Sequence, residues 1–315
     1  MKVISHDSII KANFLPLTCY KWVEEVMSVK DDAELPPKIS LKPRDGVFYN
    51  TMPVLLPKFQ WGGVKIVNRY PERNPSLDSQ ILLYDLRSGK NLALLDGNWI
   101  TAMRTGCVAA HSMNLFSKPD FKTLGYIGLG NAARASLEIF LALHPEREIK
   151  IKLLKYKNQH ELFASRFSHE KYSNVYFEYV DTYKDVIKNT DIVVEAATYL
   201  DKDICEFEYI DEGALVIPIH TRGFTQFDYL FDKIFGDDTG HIRGFKNFDK
   251  YKSFAEVSDV VNGKVVGRSN NREKIIVYNI GIAIYDIFFA GKLYERMSQN
   301  SPEVFLNPPT EKFWI

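Results

Sequence analysis

Apolar and polar positions change rhythm twice along this chain. In FLPLTCYKWVEEVMSVK (14–30), Leu17, Tyr20, Val23 and Met27 recur at helical spacing and predict an amphipathic helix, stopped by Asp31, Asp32, Pro36 and Pro37. Residues 45–96 read as strands joined by turns. Within them QILLYDL and NLALLD flank RSGK, a hairpin signal with glycine in the turn. Residues 97–116 return to a helical pattern, and Ser117, Pro119 and Asp120 mark a boundary. Beyond it, TLGYIG, IKIKLL, VYFEYV, DIVVEA, ALVIPI and KIFGDD are short apolar runs separated by helical stretches or loops. Strands alternating with helices predict βαβ units and a mostly parallel sheet. REKIIVYNIGIAIYDIFFAGKLYERM (272–297) predicts one strongly apolar helix, too polar at Asn279 and Asp286 for lipid and apolar enough to pack on two sides. The expected fold class is therefore α/β.

Composition narrows the function classes. The chain has 315 residues, with 40 Lys plus Arg balanced by 40 Asp plus Glu, so there is no electrostatic case for a nucleic-acid partner or an anionic membrane surface. No run approaches the roughly 18 apolar residues of a membrane span. His6, Asp7, Lys11 and Asn13 break any signal-peptide core in MKVISHDSIIKANFLPL. Cys19, Cys107 and Cys205 are few and far apart, which suits reduced thiols in a cytoplasmic protein. No CxxC or HExxH spacing occurs, so no metal is expected.

The chemistry concentrates in TLGYIGLGNAARASLEIF (123–140). Gly128-Leu129-Gly130-Asn131-Ala132-Ala133 fits G-x-G-x-x-A, follows an apolar strand and opens a helix. Gly128 permits a tight turn, Gly130 lets a pyrophosphate approach the backbone, and Ala133 lets the helix sit close to the strand. A bare strand-to-helix turn is the alternative. The next strand ends LLKYKN, with Lys155 and Lys157 where an NAD site usually places a carboxylate. A cation there pairs with a 2′-phosphate, so NADP(H) is favoured over NAD(H); a solvated strand end is the alternative. Asn131, Ala132, Tyr156 and Thr198 join the candidate cofactor contacts by their place at these strand and helix ends. Upstream, Arg44 (LKPRDG), Lys65 between Val64 and Ile66, and Arg104 in WITAMRTGCVAA form a second set. Two arginines can clamp a carboxylate, and a partly desolvated lysine can pass protons. The alternative is that each pairs with a nearby acid.

The order GVKIVNRYPERN (63–74), LALLDGNWITAMRTG (92–106), GYIGLGNAA (125–133) and GKVVGRSNNREKIIVYNIGIAIYD (263–286) resembles the ornithine cyclodeaminase/mu-crystallin family across most of the chain. The resemblance implies a homodimer with a Rossmann NAD(P) domain. It also implies that the Rossmann-type doubly wound sheet, over 118–275, is inserted between 1–117 and 276–315, which together make a second, α+β domain for substrate binding and dimerisation. Arg44, Lys65 and Arg104 match the family positions that hold the substrate carboxylate and assist proton transfer, and Thr105 matches a cofactor contact. Departures carry weight as well. Where cyclodeaminases carry a catalytic Asp, ALVIPIHTRGFTQFD (214–228) has His220, Thr221 and Arg222, and Asp228 lies too far along to match. His220 is a candidate replacement acid/base and, with Thr221, a candidate cofactor contact. The family Gln after the glycine pair is Ala132 here, and a late Ser is Asn279. The missing Asp argues against cyclodeamination. The expected function is NAD(P)H-dependent oxidoreduction at the C–N bond of a small amino or imino acid, of the imine or ketimine reductase or amino-acid dehydrogenase type. The alternatives are a cyclodeaminase-like or diaminopropionate-synthase-like enzyme using bound NAD, and a non-catalytic NADP-binding protein like mu-crystallin. A peptide-bound substrate would use the Tyr- and Phe-rich stretch 224–254 as lining for a larger cleft.

Overall fold

Nine-residue strands of alternating burial build the first of two sheets, and a computed structural model describes residues 1–167, 169–198, 200, 202–219 and 222–315. The chain divides into two units. The first comprises Met1–Phe14, Asp32–Ile100 and Asp286–Ile315, and the second Leu15–Asp31 and Thr101–Tyr285.

The first unit holds β1 (Lys2–Ile4), β2 (Ile39–Leu41), β3 (Phe48–Leu56), β4 (Trp61–Arg69), β5 (Leu77–Asp85) and β6 (Asn91–Asp96) in the order β1-β6-β5-β4-β3-β2. β1 joins β6 in parallel, and the other pairs are antiparallel. The expected hairpin is β5–β6, with Gly89 at φ +69 in its turn. Strand side chains alternate between faces. Lys65 on β4 stands opposite Met52 and Ile81, and all three are buried, so the alternation carries a lysine into the core.

The helices are α1 (His6–Ala12), α2 (Pro16–Met27), α3 (Asn98–Phe116), α4 (Asn131–Leu143), α5 (Gln159–Ala164), α6 (Tyr183–Ile187), α7 (Thr239–Ile242), α8 (Val257–Val261) and α9 (Ala283–Met297). α2 is the amphipathic helix expected from residues 14–30, with Tyr20, Val23 and Met27 buried. The chain passes from one unit to the other within α3 and again within α9.

The second unit is doubly wound. The six apolar runs form β7 (Thr123–Ile127), β8 (Ile149–Leu154), β9 (Val175–Val180), β10 (Ile192–Glu195), β11 (Leu215–Pro218) and β12 (Lys233–Gly236), joined by β13 (Phe254–Glu256) and β14 (Ile275–Tyr278). All neighbours pair in parallel in the order β13-β12-β14-β11-β10-β7-β8-β9. The strand order reverses between β7 and β10, the switch point where such sheets bind ligands at their carboxyl ends.

One expectation is corrected. Residues 272–297 are not one helix: Ile275–Tyr278 is a strand inside the sheet, and α9 starts only at Ala283, after Gly281 at φ +76. A strand buried on both faces loses its alternation and reads like buried helix. The aromatic stretch 224–254 contributes to an apolar core. Phe224, Phe227 and Phe231 are buried, with Phe245, Phe248, Tyr251 and Phe254 packed against them in the core of the second unit.

Candidate active site

The turn after β7 does what its glycines predict. Gly128 has φ +80, and a Cβ there would lie 2.3 Å from the Ala197 nitrogen, so only glycine fits against the strand end opposite. A Cβ on Gly130 would meet nothing within 4 Å. That open space lies in front of α4, whose N-cap is Gly130 and whose first turn has no side-chain cap and no acidic residue. Free N–H groups behind open space suit a phosphate. The chain therefore fits the dinucleotide its motif implies. Ala133 is fully buried. Asn131 and Ala132 open α4, and Thr198 follows β10.

At the end of β8, the Lys155 ammonium lies 3.0 Å from Asp181. Tyr156 is exposed, with the Lys157 ammonium 5.4 Å from its ring centre. Thr105 donates its hydroxyl to the Thr101 carbonyl one turn back, at 2.6 Å. Its neighbour Gly106 has a role the sequence did not reveal. A Cβ there would lie 2.4 Å from Ala135 Cβ, so α3 approaches α4 closely only because residue 106 lacks a side chain. His220 and Thr221 lie outside the described residues.

Arg104 is buried, and its guanidinium lies against Gly281: a Cβ on that glycine would fall 2.5 Å from Nη1. The Gly281 N–H donates to Asp237 Oδ2 at 2.9 Å, and Asn279 Nδ2 donates to Ser112 Oγ at 3.0 Å and to Asp237 Oδ1 at 3.3 Å. Asp237 is fully buried. Burial pushes its carboxyl up to about 6, against the opposing pull of the Gly281 N–H and the Arg104 charge. Asn279 Oδ1 is buried with no hydrogen-bond partner among the described residues.

In the first unit, Lys65 Nζ lies 2.8 Å from Asp286 Oδ1 with both side chains buried. Arg44 instead sits on an exposed turn and pairs with Glu72, itself exposed. The bland alternative of a nearby acid thus accounts for the resting partners of Lys65 and Arg44. The structure brings Arg104 together with Asp237 and Gly281, while Arg44 and Lys65 belong to the other unit.

Sequence reasoning passed over three acids. Asp286 was visible only as a polar break in an apolar run. Asp237 directly follows the strand in KIFGDD, and Glu195 ends DIVVE, where parallel strands deliver functional side chains. Glu195 is fully buried, and its Oε1 accepts from the Ala197 N–H at 2.7 Å, shaping the turn that Gly128 packs on. Asp228 is structural: it accepts from Tyr251, Tyr278 and Asn247. Among the described residues no group of three or more His, Cys, Asp or Glu could hold a metal, and no helix is long and apolar enough to cross a membrane.

The model of the ornithine cyclodeaminase/mu-crystallin family matches residues 2–301. The chain belongs to this family. It is 27% identical over 277 residues to the nodulation efficiency protein NfeD of Rhizobium meliloti, covering 84% of this chain and 85% of that one. It is 26% identical over 255 residues to a Delta(1)-pyrroline-2-carboxylate reductase of Bacillus cereus, covering 74% and 77%. Among solved structures, the Delta(1)-pyrroline-2-carboxylate reductase of Thermococcus litoralis in complex with NADH and L-proline shares the fold. The TM-score is 0.84 at 23% identity, over 96% of this chain and 100% of that one.

Proposed function

We propose that this family member is an NAD(P)H-dependent oxidoreductase acting on the C–N bond of a small amino or imino acid, with an imine as the oxidised partner. The observation that carries the reading is the Gly128–Gly130 turn. It leaves open space before an uncapped helix N-terminus, at the switch point of a doubly wound sheet. Membership in a family with a pyrroline-2-carboxylate reductase among its relatives supports the choice of C–N chemistry. Bound nicotinamide supplies or accepts the hydride. The chain's own residues do the rest. Arg104, braced on Gly281, suits a substrate carboxylate, and Arg44, whose resting partner is Glu72, is a second candidate cation for a carboxylate. Lys65 Nζ holds the proton that moves to or from the substrate nitrogen, with Asp286 keeping the ammonium in place. Lys155, a cation where NAD sites carry an acid, supports NADP(H) over NAD(H). The exposed Ile39, Leu41, Tyr49 and Leu77 of the first sheet offer an apolar surface for a homodimer.

The test begins with nucleotide titration by calorimetry, then follows NADPH absorbance across a panel of cyclic imino acids. Tight NADPH binding and turnover are expected. Arg104→Ala should raise KM for carboxylate substrates by the equivalent of a few kcal/mol while leaving nucleotide affinity in place. NAD that survives purification, with product formed and no net cofactor consumed, would replace the reductase reading with a bound-NAD deaminase. Nucleotide binding without any turnover would leave a ligand-binding protein.

A further inference from the structure

We propose that Asp181 sets how strictly the nucleotide site discriminates NADP(H) from NAD(H), an inference that rests on the cofactor reading above. Sheet register is the starting point. Tyr126 of β7 faces Leu153 of β8, and Leu154 of β8 faces Val180 of β9. Continuing each strand by one or two residues sets Gly128, Lys155 and Asp181 in one row along the carboxyl edge. The Lys155 N–H donates to the Val180 carbonyl at 2.9 Å, which ties the two strand ends together. Beyond that tie, Lys155 Nζ lies 3.0 Å from Asp181 Oδ1 and 3.3 Å from Oδ2. The lysine side chain is 41% exposed and the aspartate 75%, so both face solvent, and Tyr156 beside them is exposed as well.

An NAD site needs a carboxylate to accept from the ribose hydroxyls, and it normally stands at the end of the strand after the glycine turn. Here Lys155 occupies that place and the carboxylate comes from the adjacent strand. A 2′-phosphate must draw Lys155 away from Asp181 and tolerate a second negative charge. A free 2′-hydroxyl instead meets an acceptor whose charge Lys155 partly balances. Asp181 therefore weakens NADPH binding and supports NADH binding. The pair makes the site tolerant of both cofactors, with the phosphate preference of Lys155 held in check.

Calorimetric titration of the full chain with NADPH, NADH, 2′,5′-ADP and 5′-AMP tests this without reference to turnover. In Asp181→Asn, NADPH and 2′,5′-ADP should bind roughly threefold to tenfold more tightly and NADH more weakly by a similar factor. Lys155→Met should move the ratio the opposite way. Asp181 is exposed, so its replacement leaves the core packing in place, and thermal unfolding of the variant checks the fold. An unchanged NADPH-to-NADH affinity ratio in Asp181→Asn, with both nucleotides still bound, overturns the proposal and leaves the cofactor reading standing. If the wild-type chain binds none of the four probes, the cofactor reading fails and takes this inference with it.

Discussion

Removing one partner of the Lys65–Asp286 pair should be far more damaging than removing both. The two groups are 2.8 Å apart, bridge β4 and α9 within the first unit, and are buried from solvent. Asp286→Leu takes the counter-charge away from a buried ammonium beside Met52 and Ile81, and breaking such a pair costs about 3–5 kcal/mol. Lys65→Met takes the counter-charge away from the buried carboxylate at a similar cost. The double variant Lys65→Met/Asp286→Leu replaces both charges with apolar side chains of comparable size, and such replacements are often neutral or stabilising. Its stability should come within about 1 kcal/mol of the wild type, giving a coupling energy of about 5 kcal/mol or more. Urea unfolding followed by circular dichroism, with linear extrapolation, measures all four corners of the cycle. If Asp286→Leu cost under about 1 kcal/mol and the two changes simply added, Asp286 would not be what sustains the buried ammonium. The double variant also separates roles. It should fold and bind nucleotide yet reduce no imine, and wild-type turnover would remove Lys65 from the proton path.

Three further outcomes follow from the geometry. Gly128→Ala should destabilise the second unit by at least about 2 kcal/mol, read by thermal unfolding, because it meets both a positive φ and the Ala197 backbone. Gly130→Val should leave stability within about 1 kcal/mol of the wild type while nucleotide binding disappears in calorimetry, since its side chain enters only open space. Asp237 gives a pH signature. Its folded carboxyl titrates near 6, above the usual carboxylate value of 3.8, so the folded state holds the extra proton between those two values. Stability from this group is therefore greatest below pH 4 and falls as pH rises through about 6, by about 3 kcal/mol in total. Asp237→Asn should flatten that part of a plot of melting temperature against pH, and an unchanged slope would show that another group titrates there.

The doubly wound unit was largely legible because parallel strands buried on both faces leave short apolar runs that few other structures produce. The same property hid β14, whose Ile275–Tyr278 merges with the apolar start of α9 until Gly281 breaks the chain direction. The glycine turn was legible because its requirements are local. The partners of the basic residues were not. Lys65 and Asp286 are 221 positions apart, and nothing near Lys65 in the sequence names its acid. Arg104 likewise depends on Asp237 and Gly281, which reach it only through the sheet order. Asp181 escaped notice because the acid of a dinucleotide site is sought on the strand after the glycines, and here it stands on the neighbouring one.

The long reach between Lys65 and Asp286 also bears on how the chain is made. During synthesis, β3, β4 and β5 leave the ribosome long before α9. At roughly 5–20 residues per second, the interval before residue 286 emerges is on the order of ten seconds to most of a minute. Throughout it, the face carrying Phe59 and Trp61 lacks Phe288, whose ring centre later stands 4.7 Å from that of Phe59, and Lys65 lacks its counter-charge. The nascent sheet thus waits half-finished while the dinucleotide unit is translated, and α9 completes the unit that β3, β4 and β5 began.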